Sequence, residues 1–315
     1  MLNQEAFMIL NIRFLRLFGI CCLVLGAFLL GGCGERMEST KYYYNPTWTT
    51  NGNIVAIVGL QSTRKDWLGQ SLGSTYTESL KTLTAAGTGE TFIYDVTGAP
   101  PYYMSVSPSR NYVGYMDGLN NGSFSKVILH NLSLEAYSGA TRVELLFDPR
   151  LISFDWSSNG NRLVYCTTNE VRIRDWNDFI GSTDTLVIAQ NGLEFIAWKY
   201  GNMIAFTYTD TSGNHLSLIY PDGSGRLDLA VAASVTKPSI NPANTFEVYG
   251  LAGGSYCLVT YNAASPATTE VKANCRANTP RLDPTGAKAL YNKVGEQSGL
   301  YTLDLTSQIE TEVIK

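Results

Sequence analysis

From Trp48 onward, short runs of β-branched and aromatic residues alternate with turns rich in Asn, Gly, Pro and Ser. Six segments repeat one order: a large apolar anchor, two or three turn-forming residues, then an apolar run of strand length. The anchors are Trp48, Val106, Trp156, Trp198, Ile240 and Leu282. The last four stand 42 residues apart, and the earlier gaps are 58 and 50. Each unit offers further strands, such as His215–Tyr220 and Arg226–Val231 across Pro221-Asp222-Gly223, or Leu300–Leu305 and Thr311–Ile314. Four short antiparallel strands per roughly 42 residues is the pattern of a propeller blade. The expected fold is all-β, a six-bladed β-propeller with blades starting near residues 46, 104, 154, 196, 238 and 280.

The repeat register makes Thr91–Val96 the fourth strand of the first blade and Thr75–Thr84 the third. The added residues of that blade then fall between strands two and three, as a loop over Leu60–Ser74. Part of the second blade's extra length falls in the equivalent loop, Asp117–Ser125. Tyr42-Tyr43-Tyr44 either continue into the first blade or add an edge strand.

The N-terminus obeys other rules. Arg13 and Arg16 precede an apolar run, Leu17–Leu30, and then Gly31-Gly32-Cys33. At 14 residues the run is shorter than the roughly 20 a membrane-spanning helix needs. It has the layout of a secretory signal helix. Leu30-Gly31-Gly32-Cys33 resembles the bacterial lipobox, which implies cleavage before Cys33 and its lipidation. Residues 1–32 are then a lipoprotein signal peptide, 33–44 a tether and 45–315 the propeller. Gly34 stands where an Asp would signal inner-membrane retention, which favours the outer membrane. The expected location is the cell envelope, facing the periplasm or the exterior.

The anchor-turn-strand units resemble the Pro-x-Trp-Ser-Pro-Asp-Gly repeat of TolB-like, PD40-type (WD40-like) β-propellers. Pro46 and Trp48 with Asn51-Gly52, Trp156-Ser157 with Asn159-Gly160, and Pro280 with Asp283-Pro284 and Gly286 carry the likeness. It runs from about Tyr42 to Lys315 and implies six blades. Most units replace the family's turn Asp. TolB itself places an α/β domain before its propeller, and only about ten residues separate Cys33 from the first blade here, so TolB proper is not expected.

Composition narrows the function. Of 315 residues only 16% are charged, 23 basic against 27 acidic, which excludes a basic, nucleic-acid-seeking surface. Two histidines, His130 and His215, leave little for a histidine-based active site. Gly69-Gln70-Ser71-Leu72-Gly73 is a formal nucleophile motif, but it lies in a polar loop without the strand-turn-helix setting that the chemistry needs. Asp155-x-Ser157-x-Asn159-Gly160 opens like a calcium loop, yet Cys166 stands where the closing Glu belongs. No metal and no cofactor is expected. Cys257 and Cys275 flank a hairpin centred on residue 266, in a turn over Asn262–Thr268, and are expected as a disulfide in an exported protein. Cys166 is expected as a buried single thiol.

The expected function is a membrane-anchored binding or scaffolding propeller, monomeric, holding an envelope protein or glycan. Its candidate binding face comprises Arg64, Lys65 and Trp67 with Asp117 and Asn120. The competing expectation is a propeller-based glycoside or lactone hydrolase, whose mark is a cluster of three or more carboxylates at one mouth of the central channel.

Overall fold

The computed structural model describes residues 35–66, 68–96, 102–108, 112–117, 124–131, 142–175, 184–229, 235–252, 257–262, 265–272, 277–293 and 296–314. Cys33, Trp67, Asn120 and Cys275 lie outside them, as do the side chains of Asp117 and Cys257. The described residues are all-β and form six four-stranded antiparallel blades of a β-propeller. Blade 1 is β1 (Arg36–Trp48), β2 (Ile54–Lys65), β3 (Ser71–Leu83) and β4 (Thr91–Val96). Blade 2 is β5 (Tyr102–Val106), β6 (Tyr112–Asp117), β7 (Phe124–Asn131) and the first half of the long β8 (Arg142–Trp156). The second half of β8 opens blade 3, followed by β9 (Arg162–Thr167), β10 (Glu170–Asp175) and β11 (Thr185–Ala189). Blade 4 is β12 (Leu193–Ala197), β13 (Ile204–Asp210), β14 (Gly213–Ile219) and β15 (Leu227–Leu229). Blade 5 is β16 (Val235–Asn241), β17 (Asn244–Ala252), β18 (Cys257–Asn262) and β19 (Ser265–Lys272). Blade 6 is β20 (Ala277–Leu282), β21 (Lys288–Lys293), β22 (Glu296–Asp304) and β23 (Glu310–Ile314).

Packing follows from the two-residue period of a strand, which sends neighbouring side chains to opposite faces. In β2, Ile54, Ala56 and Val58 pack with Leu290 and Leu300 of blade 6. Val55 and Ile57, one residue out of phase, pack with Val106 and Val113 of blade 2. The other second strands divide alike: Leu163 and Tyr165 face blade 2, while Val164 and Cys166 face blade 4. The result is six apolar clusters among the described residues, one for each interface of the ring. Every anchor lies in the cluster between its own blade and the one before it. Trp156, Trp198, Ile240 and Leu282 do so in succession, Val106 between blades 1 and 2, and Trp48 between blades 6 and 1.

Among the described residues, blades 1 and 6 are each built from contiguous strands, with no strand exchanged between them. Side chains make their seam. The Trp48 indole N–H donates to the Arg281 carbonyl at 3.2 Å, and the Asn292 amide donates to the Tyr43 carbonyl at 2.8 Å. Within the chain the same bond recurs: Trp156 Nε1 donates to the Ser105 carbonyl at 3.1 Å. In both, the acceptor is the residue just before the previous blade's anchor.

The turns after the anchors also repeat. Gly52, Gly160 and Gly286 sit at φ +80°, +66° and +75°, and their N–H groups close on the carbonyls of Thr49, Ser157 and Asp283. A Cβ on Gly286 would strike the Asn241 side chain of blade 5, so this position is fixed by packing as well as by φ.

Three expectations are corrected. The Leu60–Ser74 insert is a hairpin with a short tip, because β2 runs to Lys65 and β3 starts at Ser71. Its Ser and Thr residues lack apolar alternation but suit a strand: Thr63 pairs with Ser74 across the hairpin at 3.1 Å, and Ser62 with Ser39 of β1 at 3.0 Å. Residues 36–44, assigned to the tether, are strand in β1, and Tyr43 is buried in the seam. In blade 5, Asn262 pairs with Ser265 and Leu258 with Lys272, so the pairing is not centred on 266.

By contacts, the chain divides into two compact units, one holding residues 35–40 and 61–76, the other 41–60 and 77 onward. All six clusters belong to the second.

If the seam between blades 6 and 1 is as firm as an internal interface, Trp48→Ala should destabilise the protein by about 3–5 kcal/mol, as should Trp156→Ala. Denaturant unfolding of both variants measures this. A Trp48→Ala cost under about 1 kcal/mol would show a slack seam.

Candidate functional site at the centre of the ring

The residue preceding each anchor points off the interface, since neighbours on a strand diverge. These six residues are Thr47, Ser105, Asp155, Ala197, Ser239 and Arg281, one per blade, and all six line a single cavity. First strands are therefore innermost, and the cavity lies on the ring axis at the end where the anchor turns lie. Lys199 and Tyr200, from the turn of blade 4, reach into the same lining. Its volume is about 20 Å3, room for one or two water-sized species.

Asp155 organises the wall. One carboxylate oxygen accepts the Ser105 hydroxyl at 2.7 Å. The other accepts the backbone N–H groups of Trp198 and Lys199 at 2.9 and 3.0 Å. One side chain thus ties blades 2, 3 and 4 together. It also holds a strained turn: Tyr200 has φ +74°, a conformation that costs a non-glycine residue about 1 kcal/mol or more. The Lys199 ammonium lies 5.1 Å from the Tyr200 ring centre and donates at 3.5 Å to the Trp48 carbonyl of blade 1, across the ring. Burial lowers Lys199 to about 8, with Arg281 adding to the effect and Asp155 opposing it. Burial likewise holds Arg281 below the usual guanidinium range, against the pull of Asp155. The Tyr200 hydroxyl is buried without a hydrogen-bond partner among the described residues, and burial pushes its ionisation up.

The sequence pointed elsewhere. Arg64 and Lys65 lie near the hairpin tip, 3.8 Å from Glu35 and 2.5 Å from Glu38 respectively. The tip closes through Asp66, whose N–H donates to the Gln70 carbonyl at 2.9 Å and whose carboxylate accepts the N–H groups of Leu68 and Gln70. Asp117 ends β6. Ser71 is the exposed first residue of β3, not an elbow between strand and helix. The residues of the would-be calcium loop build the turn: Ser157 donates to Asn159 at 2.8 Å and accepts the Arg162 N–H at 2.9 Å, while Asp155 faces the axis. Among the described residues, no group of three His, Cys, Asp or Glu is placed to hold a metal ion. His215 makes a partly exposed cluster on blade 4 with Asp210 at 2.9 Å and Ser212 at 3.0 Å, stacked on Tyr208. Cys166 is fully buried, and burial pushes its thiol up to about 12, which makes it unreactive.

Half-buried carboxylates elsewhere are ties within blades. Tyr165 donates to Asp184 at 2.5 Å beside Arg174, and Tyr291 donates to Glu310 beside Lys293. Both carboxylates stand 28 residues after their anchors. Glu90 of blade 1 joins Tyr43, Lys41 and Lys81; burial raises it, but these three hydrogen bonds outweigh that and hold it at about 2.

No family model and no curated protein matches the chain. Solved structures do. A chain of the nidogen/laminin complex aligns with TM-score 0.57 at 9% identity, over 87% of this chain and 92% of that one. The β-propeller domain of the Trilobed protease from Pyrococcus furiosus, described as having an open velcro topology, gives 0.53 at 12% identity, over 88% and 96%. Oligogalacturonate lyase in complex with manganese gives 0.52 at 12%, over 89% and 81%. The likeness is one of fold. Propellers with such varied roles share it, so the axis chemistry must be read from this chain's own residues.

Lys199 gives a pH signature. Its folded value lies below the ordinary 10.5, so between about pH 8 and 10.5 the unfolded chain binds more protons and stability rises with pH. Relative to Lys199→Met, the wild type should gain up to about 3 kcal/mol across that window. A pH-independent difference would place the ammonium in solvent.

Proposed function

We propose that this protein is a non-catalytic binding or scaffolding propeller, held at the cell envelope by a lipid on Cys33, whose outer surfaces engage an envelope protein or glycan. The observation that carries the reading is the state of the axis. Its anchor-turn end is filled by Lys199, Arg281 and Asp155, leaving about 20 Å3, whereas pockets for sugar-sized molecules run to several hundred Å3. The lining carries two cations and one carboxylate, and both oxygens of that carboxylate are engaged in structural hydrogen bonds. A glycosidase or lactonase needs convergent acids or a metal there. Contact then falls to loops and edges, with the hairpin tip next to Arg64, Lys65 and Trp67, and the region of Asp117 and Asn120, as the surfaces proposed. The anchor follows from the apolar run and Leu30-Gly31-Gly32-Cys33, since lipid chains bring about 0.8 kcal/mol per buried methylene.

One experiment in intact cells tests both halves by crosslinking and fractionation. Cys33→Ser should move the protein from the membrane to the soluble fraction. A chain with residues 66–70 replaced by Asn-Gly should keep its thermal midpoint and its anchoring but lose the wild-type crosslinked partner. Membrane partitioning of Cys33→Ser, or unchanged crosslinking by the shortened hairpin, would contradict the reading.

A further inference from the structure

We propose that the axial cavity binds one monatomic anion, a halide, between Lys199 and Arg281, and that this ion helps close the ring. The argument starts from charge. Lys199 and Arg281 line the same small cavity with a single carboxylate, Asp155. That carboxylate is turned to Ser105 and to two backbone N–H groups, and neither cation lies within ion-pair distance of it. The Lys199 ammonium has one long hydrogen bond, to a carbonyl, and the Arg281 side chain has no hydrogen-bond or ion-pair partner among the described residues. Buried charges are ordinarily paired, because an unpaired one loses several kcal/mol of hydration. Arginine cannot relieve the strain by deprotonating. An anion at the axis can.

Size selects the anion. Room for one or two water-sized species admits chloride or bromide and excludes sulfate, phosphate and carboxylates. Thr47 and Ser239 supply hydroxyl groups in the same lining. The position explains the structural role. Arg281 belongs to blade 6, Thr47 and Trp48 to blade 1, and Lys199 to blade 4 across the ring. An ion shared by Arg281 and Lys199 would add an electrostatic tie beside the seam between blades 6 and 1. The inference does not depend on what the outer surfaces bind.

The test uses the purified protein at pH 7 and constant ionic strength, with sodium bromide exchanged for sodium gluconate. The thermal midpoint should rise with bromide and saturate, as it does when a ligand binds only the folded state. The rise should weaken about tenfold in Lys199→Met and in Arg281→Gln, each compared with its own gluconate baseline. Should Arg281→Gln fail to fold, Lys199→Met carries the comparison alone. A bromide-soaked crystal should show anomalous scattering in the axial cavity. Equal midpoints in the two salts, an unchanged bromide response in Lys199→Met, or bromide only at surface positions (an adventitious ion only) would each overturn the proposal.

Discussion

A ring of sheets must bury both faces of every blade, including the first and the last. In this chain that constraint falls on the seam between blades 6 and 1, where no shared strand among the described residues joins them. The seam is assembled from the parts used at every other interface: an anchor in the apolar cluster, and an indole bonded to the carbonyl ahead of the previous anchor. Repetition makes closure possible, because blade 1 presents to blade 6 the surface that blade 3 presents to blade 2. Tyr43 and Asn292 reinforce it with a buried amide–carbonyl bond. Each internal interface is also held by the chain itself, whereas at this one the described residues supply packing and polar contacts.

The axis has a different economy of forces. The six positions that precede the anchors converge there, and the sequence fills them with hydroxyls, one methyl, one carboxylate and one guanidinium. Asp155 uses its charge to pin the blade 4 turn, which delivers Lys199 across the ring to Trp48. Burial depresses both cations, and Asp155 opposes that effect on each. The Tyr–carboxylate ties farther out are the contrasting case. Asp184, Glu90 and Glu310 each sit among bases and a phenol, with their charge answered locally.

The blades were legible because the last four anchors stand 42 residues apart and their turns need residues that tolerate φ > 0, which Asn and Gly advertise. Trp48, Val106 and Leu282 fill one structural slot despite their different sizes, as the repeat alignment implies. The hairpin of β2 and β3 was misread because its strands are rich in Ser and Thr and carry no apolar alternation. Tyr43 was undecided since aromatic residues suit an edge and a core equally. The Asn262–Ser265 pairing escaped because the sequence between them lacks the usual turn residues. The axial site was missed for another reason. Position one before each anchor shows no common residue type, and only the geometry brings Asp155, Lys199 and Arg281 to one cavity; aligning that position across the six repeats would have exposed the ring.

The central claim is that contacts between side chains and carbonyls close the ring as firmly as the covalent chain closes its other interfaces. Native-state hydrogen exchange resolves this strand by strand. The account predicts that amides in the buried part of β2 and in β21 exchange as slowly as those of β9 and β13, all opening only with global unfolding. Faster exchange confined to blades 1 and 6, with blades 3 and 4 still protected, would mean that the ring opens at the seam and would contradict the account.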